Sequence, residues 1–296
     1  MTTMEFNLFL PQMRLSFDQL VTRARAAEAA GFTGIMGMDH LAPPLADDQP
    51  MFEAIVTTAW LAAHTERIKV GSLVLCDSFR LPTVLARQAV SIDHASGGRY
   101  ELGIGWGSVS DELVTFGVGS AEPRQRVERL RETLEVLRAL WAGETVDYEG
   151  RYHQLRHARQ RPLPLGRIPI VIGGTGPRTL ALVRDFADWW NVHVGDLGKV
   201  DDLRSRVGDA RVSIQQMVAL VGRGGDREAI TALATRRFGY ARPVIGTGAE
   251  LVDHYGRLAE QGIERVYTWF CDFAPPETLA GFGEEVIAPL ASRAST

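Results

Sequence analysis

The sequence predicts an α/β fold in which eight parallel strands alternate with helices and close into a (β/α)8 barrel. Three observations carry this. Eight short runs are apolar almost throughout, as strands buried on both faces are, and helical stretches separate most of them. The length of 296 residues suits one such barrel, which takes about 250. The first run ends in Leu10-Pro11-Gln12. An open doubly wound sheet, the alternative, usually passes from its first strand into GxGxxG.

The runs are Phe6–Leu10, Gly34–Met38, Ile68–Leu75, Arg99–Ile104, Ile168–Ile172, Trp189–Val194, Val212–Val221 and Arg265–Phe270. After the first, Phe17, Leu20, Val21, Ala24 and Ala27 recur at helical spacing. After the fourth, Val127, Leu130, Leu134, Leu137 and Trp141 step by three and four along one helix face. Leu251, Val252, Tyr255, Leu258 and Ala259 do the same before the eighth. Two insertions break the rhythm. Glu144–Arg167 is polar, with Tyr148, Gly150, Tyr152 and Pro162–Pro164, and predicts a small hairpin followed by an extended loop. Gly222–Thr247 predicts a helix over Asp226–Arg237 and then a loop with Gly and Pro. Neither is a domain boundary, and residues 1–296 read as a single domain.

Hydrophobic residues at 45% and charged residues at 23% describe a globular chain. A net charge of -4 gives no electrostatic basis for binding nucleic acid or an anionic membrane. Met1–Leu10 lacks a basic segment and reads as a first strand, not a signal peptide. No run approaches the roughly 18 apolar residues of a membrane span. Cys76 and Cys271 form no CxxC pair or disulfide framework, so a cytoplasmic, reduced protein is expected. The partner expected is a small molecule.

In a barrel, chemistry sits at the C-terminal ends of the strands. Those ends carry Asp39-His40, Cys76-Asp77, Gly103-Ile104-Gly105-Trp106-Gly107-Ser108, Gly173-Gly174-Thr175-Gly176, Asn191 with His193, and Trp269 with Cys271 and Asp272. The stretch Ile172–Thr179 is a strand, a glycine turn and a helix opening at about Pro177. Glycines let backbone N–H groups approach an anion, and a helix N-terminus favours negative charge. The same pattern also suits a plain capped βα turn. No lysine follows at Walker spacing, which disfavours an NTPase loop. Glycines alternating at 103, 105 and 107 strip one strand face, making room for a flat ligand or for close packing. Asp39 is either a ligand contact or a cap, and His40 either a proton-transfer group or a loop histidine. His64 and His94 belong to outer helices. His153 and His157 have no third ligand nearby, so no metal site is predicted.

Taken in order, these segments resemble the luciferase-like monooxygenase superfamily, most closely its short branch that uses the deazaflavin coenzyme F420. The matching residues are Ala29-Ala30-Gly31-Phe32 leading to Met38-Asp39-His40, Lys69–Val74, Pro82–Ala86, Ile92-Asp93 before Ser96-Gly97-Gly98-Arg99, Gly103-Ile104-Gly105 and Ile172–Arg178. The resemblance implies a TIM barrel with the cofactor ring deep in its mouth. It implies a non-prolyl cis peptide at Leu73–Val74 behind the ring, Cys76 beside it and Asp39 bonded to its polar edge. Gly105 and Gly107 border the ring, and Gly173, Gly174, Thr175, Gly176, Pro177 and Arg178 hold the cofactor phosphate. Relatives often pair as homodimers. One departure stands out. Ser108 occupies the place where sugar-phosphate dehydrogenases of the branch carry a carboxylic acid, while Glu112 matches a downstream glutamate of the pattern. With lysine confined to Lys69 and Lys199 as well, a sugar-phosphate reaction is rejected.

The expected activity is hydride transfer between coenzyme F420 and a small organic substrate. Such a step needs a proton donor or acceptor, with His40 first and His193 second, while Trp106 and Trp269 wall the substrate pocket. Two other readings stay open: a monooxygenase using reduced FMN and dioxygen, and a cofactor-binding protein without turnover.

Overall fold

The computed structural model describes residues 4–44, 46, 48–120 and 122–294. Eight strands form the barrel: β1 (Glu5–Phe9), β2 (Gly34–Gly37), β3 (Lys69–Ser72), β4 (Tyr100–Gly105), β5 (Ile170–Gly173), β6 (Trp189–His193), β7 (Arg211–Leu220) and β8 (Arg265–Phe270). Every neighbouring pair is parallel. The ring closes because β7 pairs with both β6 and β8, and β8 with β1. All eight strands fall within the apolar runs of the sequence to within a residue or two. Most of their Val, Ile and Leu side chains pack against the helices in one large core, while Phe9, Met36 and Tyr267 belong to a separate smaller cluster with Met38.

Eight helices complete the α/β units: α1 (Phe17–Ala29), α2 (Ala54–His64), α3 (Pro82–Ser96), α4 (Pro123–Trp141), α5 (Pro177–Phe186), α6 (Val200–Arg204), α7 (Gly248–Glu260) and α8 (Pro276–Phe282). Local chemistry sets their ends. Ser16 and Gln19 form a capping box at the start of α1, as Thr247 and Glu250 do for α7. Proline opens α3, α4 and α5, where its missing N–H costs nothing. Gly97, at φ +68°, ends α3 in a left-handed turn.

The third apolar run is not one strand. A cis peptide at Leu73–Val74, as the resemblance implies, interrupts it. Lys69–Ser72 and Leu75–Cys76 pair with β4 on either side of the break. The first insertion is a hairpin of Val146–Glu149 against Gln154–Ala158, as predicted. The second holds a helix over Arg227–Phe238 with Asp226 as its N-cap. After it, Val244–Gly246 adds a short strand beside the end of β7. This strand falls within the predicted loop, because three residues are too few to show a period. No helix among the described residues is long and apolar enough to cross a membrane.

The two barrel ends differ. At the N-terminal end, Arg265 is fully buried between Glu5 and Glu101 with its guanidinium 3.7 Å from the Trp189 ring centroid. At the C-terminal end a cavity of about 880 Å³ opens.

Candidate active site

Each strand end contributes to the cavity wall. Phe9 comes from β1, Met38 from just beyond β2, Leu73 from the break after β3 and Gly105 from β4. Gly173, Asn191, Gln215 and Trp269 come from β5 to β8. Among the residues predicted for the site, Asp39, His40, Leu73, Val74, Cys76, Gly105, Trp106, Gly107, Gly173, Gly174, Thr175, Gly176, His193 and Trp269 all line this one cavity. Pro177 and Arg178 do not. They lie on the exposed first turn of α5, with Arg178 turned to solvent.

The floor is built by β3, β4 and the turn after β2. A Cβ placed at Gly103 would lie 1.9 Å from the Ser72 carbonyl oxygen, and one at Gly105 would lie 2.9 Å from Val74 Cγ2. At Gly107, φ is +84° and a Cβ would lie 2.9 Å from Cys76 Sγ. The alternating glycines therefore admit the protein's own third strand and its cis turn. Of the two explanations offered by the sequence, close packing accounts for Gly103, while Gly105 and Gly107 also face the cavity.

Asp39 fixes this floor. Its Oδ2 accepts from the Cys76 N–H at 2.7 Å and from Arg80 Nη1 at 2.5 Å, and its Oδ1 accepts from Arg80 Nη2 at 2.9 Å. Arg80 also reaches Glu53 at 2.6 Å. Burial pushes the Cys76 thiol up to about 11, and the carboxylates of Asp39, Asp77 and Glu112 add to the effect over a backbone bond from Ser78. The sulfur is thus a neutral thiol at neutral pH, not a nucleophile.

His40 stands at the rim with an anchored ring. Its Nδ1 lies 2.9 Å from Glu112 Oε2. The other oxygen of Glu112 accepts from the N–H groups of Leu41 at 2.5 Å and Ala42 at 3.3 Å. A carboxylate only accepts, so Nδ1 carries the hydrogen and Nε2 is left with no partner among the described residues. Glu112 comes from the short helix Ser110–Thr115 after β4. The sequence marked both residues but not their pairing, since seventy-two positions separate them. Arg126 holds the turn before that helix, donating to Gly107 O at 2.9 Å and to Ser110 Oγ at 3.0 Å, and lies over Trp106 at 4.8 Å.

Opposite the floor, β5 runs into α5. Gly174 takes φ +119° and donates its N–H to Asn191 O at 3.1 Å. The N–H groups of Thr175, Gly176, Arg178 and Thr179 have no protein acceptor among the described residues, leaving open donors that suit an anion. Thr179, at the end of that stretch and not among the predicted site residues, lies buried beneath Gly174. Thr175 Oγ1 donates to Asp196 at 3.4 Å, and Lys199, 2.6 Å from Asp196, holds that carboxylate below its usual range and offsets its charge. His193 is exposed, and its Nδ1 accepts from the Gly195 N–H at 3.1 Å.

The other histidines lie elsewhere. His153 bonds Thr133 at 2.9 Å in the hairpin, and burial, helped by nearby Arg129, pushes it down to about 4. His64 and His94 bond the carbonyls of Trp60 and Leu163. Among the described residues no three His, Cys, Asp or Glu side chains gather as a metal site.

The model of the luciferase-like monooxygenase family matches residues 4–221. The F420-dependent glucose-6-phosphate dehydrogenase of Microbacterium testaceum is 32% identical over 232 residues, covering 75% of this chain and 68% of that one. Its counterpart in Nocardia farcinica is 37% identical over 164 residues, so this chain spans about half the length of that relative, 48%. Among solved structures, EDTA monooxygenase from Chelativorans superposes with a TM-score of 0.85 at 15% identity, covering 99% of this chain and 95% of that one. An F420-dependent secondary alcohol dehydrogenase, bound to an F420-acetone adduct, gives 0.82 at 17%, covering 98% and 99%. At these identities the structural likeness is one of fold; the match of the family model over residues 4–221 goes further, and the chain belongs to the luciferase-like monooxygenase family.

Proposed function

We propose that this protein is an oxidoreductase that transfers a hydride between coenzyme F420 and a small organic substrate that is not a sugar phosphate. The observation that carries the reading is one cavity with a glycine turn of open N–H donors on one side and a carboxylate-anchored histidine on the other. The named relatives that use F420 support the choice of cofactor.

The residues fit such a group. Open N–H donors from Thr175 to Thr179 would hold its phosphate, with Gly173, Gly174 and Gly176 letting it approach the backbone. In this reading Pro177 and Arg178 contribute backbone only, Pro177 by starting the helix and Arg178 by its N–H. Asp39, Leu73, Val74, Cys76, Gly105 and Gly107 would border the ring. When bound, the deazaflavin supplies or accepts a hydride. The protein handles the proton. His40 Nε2 takes it from a substrate hydroxyl, or returns it to a carbonyl oxygen, while Glu112 holds Nδ1–H and stabilises the imidazolium. Ser108 need not be acidic, because Glu112 reaches the histidine from four residues further on. His193 remains the second candidate, but no carboxylate among the described residues hydrogen-bonds its ring.

Absorbance titration of the purified protein with F420 and with FMN tests the cofactor. Saturable F420 binding that weakens when Thr179 is replaced by a bulkier residue is expected. Tight FMN binding with no affinity for F420 would overturn the reading in favour of a monooxygenase.

A further inference from the structure

The β1, β7 and β8 side of the cavity is unlike the glycine-lined side. Phe9, Met13, Phe238, Trp269 and Phe273 line it. Trp269 meets Phe9 and Phe238 edge-on, at 5.1 and 4.9 Å. Such a wall offers few partners for sugar hydroxyls and favours an apolar body.

Two arginines share that side; both are exposed to solvent, and neither has an acidic partner among the described residues. Arg14 follows β1 and lines the cavity with its backbone held at φ +60°. Arg237, from the insertion helix, donates Nη1 to Cys271 O at 2.7 Å and lies 4.9 Å from the Phe273 ring centroid. That leaves its other N–H groups open, while the carboxylates on the same cavity, Asp39, Glu112 and Asp196, are taken up by Arg80, His40 and Lys199. The Trp269 indole N–H, buried within the same wall, has no acceptor among the described residues. Left-handed non-glycine backbone, as at Arg14, concentrates where function requires it. Phe273 also holds such a backbone, at φ +65°.

We propose that this side of the cavity takes the apolar, aromatic-sized body of an organic carboxylate, with Arg14 and Arg237 pairing with its carboxylate group. The proposal rests on the hydride-transfer reading for its meaning but not for its test. In the full chain without cofactor, calorimetric titration with 3-phenylpropanoate and with its neutral amide reads the anion preference directly. The acid should bind about tenfold more tightly than the amide, and Arg237→Gln and Arg14→Gly should each remove several-fold of that preference. Glycine accepts φ +60° without strain, so Arg14→Gly should melt no lower than the parent while losing affinity. Equal binding of acid and amide, or a preference that survives in the double variant, would overturn the proposal. So would variants that weaken F420 but not a deazaflavin lacking the anionic tail, with 3-phenylpropanoate binding unchanged, since the arginines would then hold the tail. Failure to bind F420 at all would remove the hydride-transfer reading and leave the carboxylate result standing.

Discussion

At His40 the arrangement fixes a tautomer before any substrate arrives. Glu112 can only accept, so the neutral ring carries its hydrogen on Nδ1 and presents Nε2 as the base. Nitrogen-15 spectra of the imidazoles should show His40 as the Nδ1–H form, and Glu112→Gln, whose amide can donate as well as accept, should yield a mixture. His40→Asn should lower turnover by about 10²–10⁴-fold while F420 affinity stays near the parent value, the loss expected of a proton-transfer group. A comparable loss of cofactor affinity would instead make His40 a binding residue. Glycines give a second contrast at this scale. Gly103→Ala forces a Cβ to 1.9 Å from a backbone oxygen that cannot rotate away, and should cost about 3 kcal/mol or prevent folding. Gly97→Ala meets nothing within 4 Å and pays only for φ +68°, about 1 kcal/mol, and thermal melts of the two variants separate these causes.

Elements here are tied together by carboxylates that accept backbone N–H groups from a neighbour. Glu132, on α4, accepts from Arg151 at 2.8 Å, Tyr152 at 2.8 Å and His153 at 3.0 Å, and so fastens the hairpin to the barrel wall. Tyr148 adds a bond to Glu135 at 2.6 Å. Glu132→Ala should cost about 2 kcal/mol and raise amide exchange at 151–153 well above that of the barrel strands, because two half-buried donors and one exposed donor lose one acceptor. Uniform exchange across hairpin and barrel would show that packing alone holds it. The hairpin itself was legible, since Tyr, Gly and Pro punctuate a polar stretch. Its anchor was not, because Glu132 sits on the exposed-looking side of a helix whose apolar stripe faces elsewhere. The site divides the same way. Strand ends and glycine turns are local signals, and they placed Asp39, His40, Cys76 and Gly173–Gly176 around one cavity. Arg80 on Asp39, Glu112 on His40 and Arg237 over Phe273 are meetings of distant segments, created by barrel closure, and no spacing in the sequence encodes them.

Across the whole molecule, the barrel is sealed at one end by charge and open at the other for chemistry. The seal gathers Glu5 from β1, Lys69 from β3, Glu101 from β4, Arg211 from β7 and Arg265 from β8, so most of the ring contributes one side chain. Arg265 is fully buried, and removing it would strand Glu101 with Lys69 as its remaining cation. Arg265→Met should therefore cost about 3–5 kcal/mol, despite the added apolar surface. The seal also sets an acid limit. Burial raises the Glu5 carboxyl, but Arg265, Lys69 and Arg211 outweigh it and hold the group below its usual 4.5. A carboxylate depressed in the folded state contributes stability that is fully present above its unfolded value and is lost as pH falls through the folded one. Urea midpoints should thus change little on this account from pH 8 to about 5 and decline below about 4.5. Glu5→Gln should cost about 1–2 kcal/mol at pH 7, with partial exposure of the side chain limiting the loss. The difference between parent and variant should then shrink in acid, because the parent's carboxyl is by then protonated as well. A difference that stays constant from pH 7 to pH 3 would mean that Glu5 acts through packing and not through its charge, and that the acid limit arises elsewhere in the barrel.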